Sequence, residues 1–370
     1  GDHRDLHRVD RRQRQMCIRD SNVTPLILAS LSDLHNLSVD TIIDVRTPAE
    51  YAQDHIPGAV NLPVLSNDQR EEVGTIYKQV NPFNARKIGG ALVANNTANH
   101  LQGPLAEKSG GWQPLIYCWR GGQRSGAFAT ILDQVGWRVH LLKGGYQSYR
   151  REIVKTLYET PLTHKLILIG GGTGTAKTAL LHQLSAKGAQ ILDIEGIAAH
   201  RGSLFGKIDK PQPSQKMFET NLAAKLATLD PTVTTFVEAE SSKVGDRSIP
   251  PSVWALMTNA ARIQINAPIE ARSHFLCRAY EDITHDKAEL KKLIDKLRPY
   301  HSADRIDQWH AQAKINDWQT LATSLILYHY DPRYTKSSNT KDDAVYYIEL
   351  SNLKDSTLAN TAEALHAKFS

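Results

Sequence analysis

Tyr117-Cys118-Trp119-Arg120-Gly121-Gly122-Gln123-Arg124-Ser125 is the stretch on which the reading of this chain turns. Pro114-Leu115-Ile116-Tyr117 before it reads as a short buried strand, and Ser125 to Leu132 after it as a helix. A cysteine between a strand end and a helix start lies at the positive end of the helix dipole. Gly121 and Gly122 let the backbone curl so that several N–H groups face one concavity, an anion-binding nest, and Arg120 and Arg124 add fixed positive charge. Each feature favours thiolate over thiol, so Cys118 is expected to be a nucleophile with a lowered pKa. A plain core cysteine after a strand needs neither flanking glycines nor two arginines.

Working outward, the neighbouring segments alternate between strand and helix. Thr41-Ile42-Ile43-Asp44-Val45-Arg46 is a β-branched run ending in charge, as in a buried parallel strand. Thr47-Pro48-Ala49-Glu50 then opens a helix, with Thr47 as N-cap, Pro48 in the first position and Glu50 completing a capping box. His55 to Pro63 reads as a turn feeding a short strand, and Arg138 to Leu142 as another strand closed by Lys143-Gly144-Gly145-Tyr146. This order implies an α/β domain with a parallel sheet, whose ligands bind at the carboxyl ends of the strands, where Cys118 falls. Asp68 to Gln79 reads as a solvated helix plus loop that such a domain does not require.

A second phosphate-type loop follows. Lys165-Leu166-Ile167-Leu168-Ile169 is a strand, and Gly170-Gly171-Gly172-Thr173-Gly174-Thr175-Ala176-Lys177-Thr178 leads into a helix from Ala179. This is a P-loop in its proper context, with N–H groups to cradle a diphosphate, Lys177 to neutralise it and the Thr178 hydroxyl to hold Mg²⁺. Ala176 stands where the motif has glycine, and its methyl is expected to crowd the backbone approach. The acid such a domain needs for its metal is sought at strand ends, in Asp193, Glu238 or Glu240. His200, Arg201 and Ser203, and likewise Lys243 and Arg247, lie in polar loops suited to phosphate or RNA backbone, although each also reads as plain surface. Leu290, Leu293, Ile294 and Leu297 mark one apolar helical face edged by lysines, and Cys277 reads as core. No metal-ligand cluster is evident along the sequence.

The 370 residues suffice for two domains or more, at roughly 150 residues each. The expected organisation is a non-native lead over 1–20, a first domain over 23–150, a P-loop domain with a helical tail over 162–334, and a C-terminal strand and helix over 335–370. The lead carries six arginines and four aspartates, +2 of the net +5, so global charge says little about a nucleic-acid partner. No apolar run approaches the ~20 residues of a bilayer span, and no basic-then-apolar secretory start is seen. Three widely spaced cysteines (Cys17, Cys118, Cys277) fit neither a disulfide framework nor a paired zinc site, and suggest a reducing cytoplasm.

Asp44-Val45-Arg46, Tyr51, His55-Ile56-Pro57-Gly58-Ala59 and the Cys118 loop, in that order, resemble a rhodanese domain, whose loop cysteine carries sulfur or selenium. One departure is the spacing: five residues separate Cys118 from Arg124, where the usual sulfurtransferase loop has four. That spacing also fits the Cys-x5-Arg loop of cysteine phosphatases, and suits a tetrahedral oxyanion such as phosphate or selenophosphate. Joined to the P-loop domain, and with Glu72 to Lys78, Glu195 to Ser203, Val237 to Ser241 and His329-Tyr330-Asp331-Pro332, the chain closely resembles the bacterial tRNA 2-selenouridine synthases. Ala239 stands where that family commonly has aspartate. The resemblance implies a rhodanese-like parallel-sheet domain followed by a P-loop NTPase-like α/β domain with a helical C-terminal part. It implies conversion of wobble 2-thiouridine to 2-selenouridine through S-geranyl-2-thiouridine in tRNAs for lysine, glutamate and glutamine. Geranyl diphosphate and selenophosphate would be the substrates, with no tightly bound cofactor. Cys118 would carry selenium, helped by Arg120, Arg124, Ser125 and the loop glycines, and residues Gly171 to Thr178 would hold the diphosphate. A selenophosphate-supplying enzyme would be the partner, with no membrane and a monomeric state. Three other readings are a rhodanese-type sulfurtransferase in tRNA thiolation, a cysteine phosphatase and a non-catalytic binding module.

Overall fold

The computed structural model describes residues 23–203, 205–206, 208, 210–338 and 344–369; the lead over 1–20, with Cys17, and Leu204 lie outside the described residues. The chain folds as two units divided between Lys155 and Thr156.

The first unit is built on five parallel strands: β1 (Thr24–Leu26), β2 (Thr41–Asp44), β3 (Val60–Asn61), β4 (Pro114–Tyr117) and β5 (His140–Leu142), in the spatial order β1-β5-β4-β2-β3. All four β4 residues are buried, as a central parallel strand requires. Ile43, Ile116, Phe128, Leu132 and Val139 fill the core. Thr47 accepts from Glu50 N–H at 3.3 Å while the Glu50 carboxylate accepts from Thr47 N–H at 2.9 Å, so the capping box forms around helix Pro48–Gln53 as its residues dictate. Between β3 and β4 stands a helical hairpin, Asn67–Gln79 and Pro82–Gln102. Only its first arm was expected; β1, a three-residue edge strand, carries too little pattern to be read.

The second unit also centres on five parallel strands: β6 (Leu166–Gly171), β7 (Gln190–Leu192), β8 (Thr235–Glu238), β11 (Ala261–Asn266) and β12 (Ala344–Glu349), ordered β12-β11-β6-β8-β7. A small antiparallel ribbon, β9 (Lys243–Val244) with β10 (Arg247–Ser248), lies outside that sheet. Ile169, Leu180, Leu184, Phe236, Ile263 and Ile265 form its core, and Leu358, Ala362 and Leu365 of helix Asp355–Phe369 join them. The C-terminal strand and helix are therefore part of the P-loop sheet and its cover, not an appendage. A second core unites the helical tail: Leu290, Leu293, Ile294 and Leu297 are buried with Ile306 and Trp309, whose indole N–H donates to Ser324 Oγ at 2.8 Å. Each such fully buried side chain stabilises by about 1.5–3 kcal/mol, which accounts for the strict helical spacing of that stripe.

Candidate active site: a cysteine loop and a phosphate loop

Cys118 follows β4, and helix Gln123–Val135 begins five residues on. Its thiol is 4 % exposed and lies against the domain core. Burial alone pushes the thiol up. The Ser125 hydroxyl, which donates to Cys118 Sγ at 3.1 Å, together with the Ser125 N–H, the Arg124 charge and the Arg120 N–H, outweighs that and holds it below its ordinary value. Core position and activated thiol coexist here, because the floor of the nest is also the end of the central strand.

The loop is shaped from behind. Tyr146 N–H donates to Cys118 C=O at 2.8 Å and Gln147 N–H to Trp119 C=O at 3.0 Å, so the turn after β5 backs directly onto the cysteine loop. A Cβ on Gly145 (φ 57°) would strike the Cys118 carbonyl oxygen and come 2.5 Å from Gly121 N. Arg124 forms a forked pair with Glu50, 2.6 and 3.2 Å, and this charge offsets the burial that would otherwise push the Glu50 carboxyl up. The glutamate of the capping box thus also fixes the loop arginine. Arg120 is exposed and reaches Gln147 at 3.2 Å, so it lies at the rim. Beneath the loop, Arg46 is buried on Asp44 and the Asp54 carbonyl, with its guanidinium 4.1 Å from the centre of the Tyr146 ring. Asp44-Val45-Arg46 is therefore a strut for the loop.

In the second unit, Lys177 Nζ donates back to Gly171 C=O at 2.9 Å, curling over the loop that Gly171 to Thr178 form. Ala176 adopts the left-handed region at φ 62° and is 4 % exposed, packed with Leu180 and Ile169. Ala176 both joins the core and lines the phosphate cavity, and its left-handed backbone adds about 1–2 kcal/mol of strain. Arg272 buttresses the loop: it donates to Thr173 C=O at 2.9 Å and forks onto Asp331 at 2.6 and 3.0 Å. Tyr334 OH accepts from Gly171 N–H at 3.0 Å. Arg272 and Tyr334 escaped the sequence reading; the only signal nearby was His329-Tyr330-Asp331-Pro332.

The carboxylates sort differently from expectation. Asp193 accepts from Gly196 N–H at 2.7 Å as a helix cap and meets His182 at 3.0 Å. Glu195 occupies the metal-type position instead: Glu195, Glu238 and Glu240 each offer an oxygen within 4.8 Å of the others. Thr178 Oγ1 donates to Glu195 at 3.4 Å. Burial first, then like charge, raises Glu195 and pushes Glu238 up to about 7. Glu238 is 1 % exposed with both carboxylate oxygens unpartnered. Three hard oxygens crowded beside a P-loop threonine, one pair orphaned, fit a divalent cation such as Mg²⁺. Gly202 (φ 68°) lies so close that a Cβ would strike Glu195 Oε1 and come 2.9 Å from Glu240 Oε2.

Arg201 and Ser203 line the phosphate cavity, together with Lys177, Thr178, Glu195 and Glu240. Arg201 is held by Asp282 at 2.9 and 3.2 Å. His200 is half-buried and accepts from Gly202 N–H at 3.1 Å, whereas Lys243 and Arg247 lie on the β9–β10 ribbon and are not among the residues lining that cavity. A second, almost wholly apolar pocket, with a cavity volume of about 80 Å³, adjoins it. The two share Thr173, Leu276, Tyr280 and Tyr330, and the apolar one extends over Cys277, Trp318, Ala322 and Leu325. Cys277 thus lines a pocket rather than closing a core, its thiol pushed up by burial and by Asp317.

A cysteine in a rhodanese-type loop, followed in the same chain by a P-loop with a carboxylate cluster, defines a two-domain class. Residues 28–152 match the family model described as a rhodanese-like domain, and residues 164–302 that described as the tRNA 2-selenouridine synthase AAA domain. The tRNA 2-selenouridine synthase of Psychromonas ingrahamii is 36 % identical over 250 residues, 67 % of this chain and 67 % of that protein. Those of Nitrosomonas europaea (38 % over 235 residues, 62 % of this chain and 61 % of the relative) and Bdellovibrio bacteriovorus (35 % over 243 residues, 62 % of each) are similar too. The matched stretch spans 61–67 % of these relatives' length. The chain belongs to the tRNA 2-selenouridine synthase family.

Proposed function

We propose that this chain is a cytoplasmic, monomeric tRNA-modifying transferase that converts wobble 2-thiouridine to 2-selenouridine by way of S-geranyl-2-thiouridine. The observation that carries the two-step route is the apolar pocket opening off the phosphate cavity, with Thr173, Leu276, Tyr280 and Tyr330 common to both. An allylic diphosphate has a charged head and an apolar tail, and this pair of cavities matches both parts; a nucleotide would set its ribose and base against a wall of Leu276, Ile283, Trp318 and Leu325.

In the first step the thiocarbonyl sulfur of the uridine bonds to C1 of geranyl diphosphate. The C1–O bond breaks with its electron pair going to the diphosphate, and the base's N3 proton is released. Lys177 and the loop N–H groups take up the charge that develops on the departing oxygen. Thr178, Glu195, Glu238 and Glu240 would hold Mg²⁺, which when bound supplies further positive charge against the diphosphate. Alkylation turns a poor leaving group into a thioether-like one. In the second step selenophosphate, provided by a partner enzyme and held at the Cys118 loop, bonds through selenium to C2 as geranylthiolate leaves; water then takes the phosphoryl group as phosphate, and the P–Se electron pair stays on the selenium of 2-selenouridine. Arg124, the Arg120 N–H and the Ser125 hydroxyl favour the Cys118 thiolate at the floor of that loop. tRNAs for lysine, glutamate and glutamine are the proposed substrates.

The test is ligand binding by calorimetry on the full chain with Ala322→Phe, which fills the apolar pocket. Geranyl diphosphate affinity falls at least tenfold while inorganic diphosphate affinity is retained. Tight ATP binding with no geranyl diphosphate binding in the parent chain would overturn the reading.

A further inference from the structure

The helical hairpin of the first unit is not consumed by either site. Its first arm, Asn67–Gln79, buries no residue, and its tip carries Tyr77, Val80 and Phe83 at 54, 71 and 65 % exposure. From Val73 to Ala106 the sequence contains no aspartate or glutamate, while Lys78, Arg86 and Lys87 stand exposed around the tip. None of the three makes an ion pair among the described residues. Two exposed aromatic rings thus share one tip with three cations that have no ion-pair partner among the described residues, and the core has no use for them.

The tip is also held firmly. Val80 N–H and Asn81 N–H both donate to Ile76 C=O at 3.0 Å, ending the first arm sharply. Asn81 Oδ1 accepts from Phe83 and Asn84 N–H at 2.7 and 3.2 Å, and Pro82 takes the first position of the second arm. Val73 packs so closely on Gly89 that a Cβ there would come within 3.3 Å. Lower down, Asn96 Nδ2 donates to Val64 C=O and Gln69 Oε1, both at 2.9 Å. A surface braced in this way loses little freedom on binding.

We infer that this tip is a nucleic-acid contact, with Tyr77 and Phe83 stacking on unpaired bases of an RNA loop while Lys78, Arg86 and Lys87 neutralise its phosphates. The inference rests on the tRNA reading above and adds the surface that receives the RNA. Aromatic faces with adjacent cations form the standard recognition of single-stranded nucleic acid. The same cations without acidic counterparts disfavour docking by a second, equally basic copy of the tip.

The test uses the full chain, a fluorescently labelled tRNA transcript and an RNA duplex of equal length. The parent binds the transcript better than the duplex. Tyr77→Ala with Phe83→Ala weakens transcript binding by about tenfold or more and leaves inorganic diphosphate binding and melting temperature unchanged, whereas Tyr77→Phe with Phe83→Tyr restores it. Lys78→Ala, Arg86→Ala and Lys87→Ala together flatten the salt dependence by a slope of about 2. Parent-like transcript binding by both variants overturns the inference and spares the tRNA reading. A fall from dimer to monomer with RNA affinity intact overturns it in favour of self-association. Absence of transcript binding by the parent removes both.

Discussion

Ser125→Ala isolates the interaction that sets the Cys118 thiol against its own burial. The Ser125 hydroxyl is fully buried and donates to Cys118 Sγ at 3.1 Å, with Gly122 C=O a second acceptor at 3.3 Å. A hydrogen bond to a charged partner is worth about 1.5–3 kcal/mol. Removing it leaves the burial penalty opposed only by the Ser125 and Arg120 N–H groups and the Arg124 charge. Every 1.4 kcal/mol is tenfold in an equilibrium, so the thiolate-to-thiol ratio falls by about tenfold or more. The assay is the rate of iodoacetamide alkylation of Cys118, followed by peptide mass spectrometry from pH 5 to 10. The sign follows from the lowered thiol. Below its midpoint the rate tracks the thiolate fraction, so the variant reacts about ten times more slowly there, and the two rates converge at high pH. Cys277, which belongs to the second unit, serves as the internal control. Equal slowing at every pH would mean altered access rather than altered ionisation; unchanged rates would refute the account of how the loop activates its thiol.

Four further outcomes are expected. Glu50→Gln keeps an acceptor for the Thr47 cap but removes the charge facing Arg124 at 2.6 Å, and should cost about 1–3 kcal/mol, read as a lower denaturation midpoint of the first unit. Gly145→Ala drives a Cβ onto the Cys118 carbonyl and should destabilise by about 2 kcal/mol or more while abolishing the fast alkylation of Cys118, measured on the same sample. Glu238→Gln removes a buried charge from a crowd of like charges, so in metal-free buffer at pH 8 its melting temperature should exceed the parent's by a few degrees; millimolar Mg²⁺ should raise the parent's melting temperature and leave the variant's nearly unmoved. If the Cys118 loop holds selenophosphate and Cys118 is not a phosphatase nucleophile, an aryl phosphate should be turned over no faster by the parent than by Cys118→Ser.

Local rules made much of this legible. Thr47-Pro48-Glu50 announces a capping box that forms, and the strand-glycine-lysine-threonine order places the second loop where it is found. What the sequence hides is convergence. Glu195 and Glu238 are distant in the chain, and only the parallel neighbours β7 and β8 bring their ends together; Asp193, the more obvious strand-end acid, is drawn off by a helix cap that local geometry favours. Gly145 read as a turn residue, yet its role is to let one backbone touch another. The apolar pocket assembles from Thr173, Leu276 and Trp318, on segments whose periodicity signals core just as well. Ala176 shows the limit from the other side: residue identity flagged a departure, and only the backbone angle revealed the strain it adds.

The most direct measurement is nucleoside mass spectrometry of 2-thiouridine-bearing tRNA after incubation with the full chain, geranyl diphosphate and selenophosphate, comparing the parent with Cys118→Ser and Lys177→Ala. The parent should yield 2-selenouridine, Cys118→Ser should stop at S-geranyl-2-thiouridine, and Lys177→Ala should leave 2-thiouridine unchanged. Formation of 2-selenouridine by Cys118→Ser at the parent's rate would contradict the account.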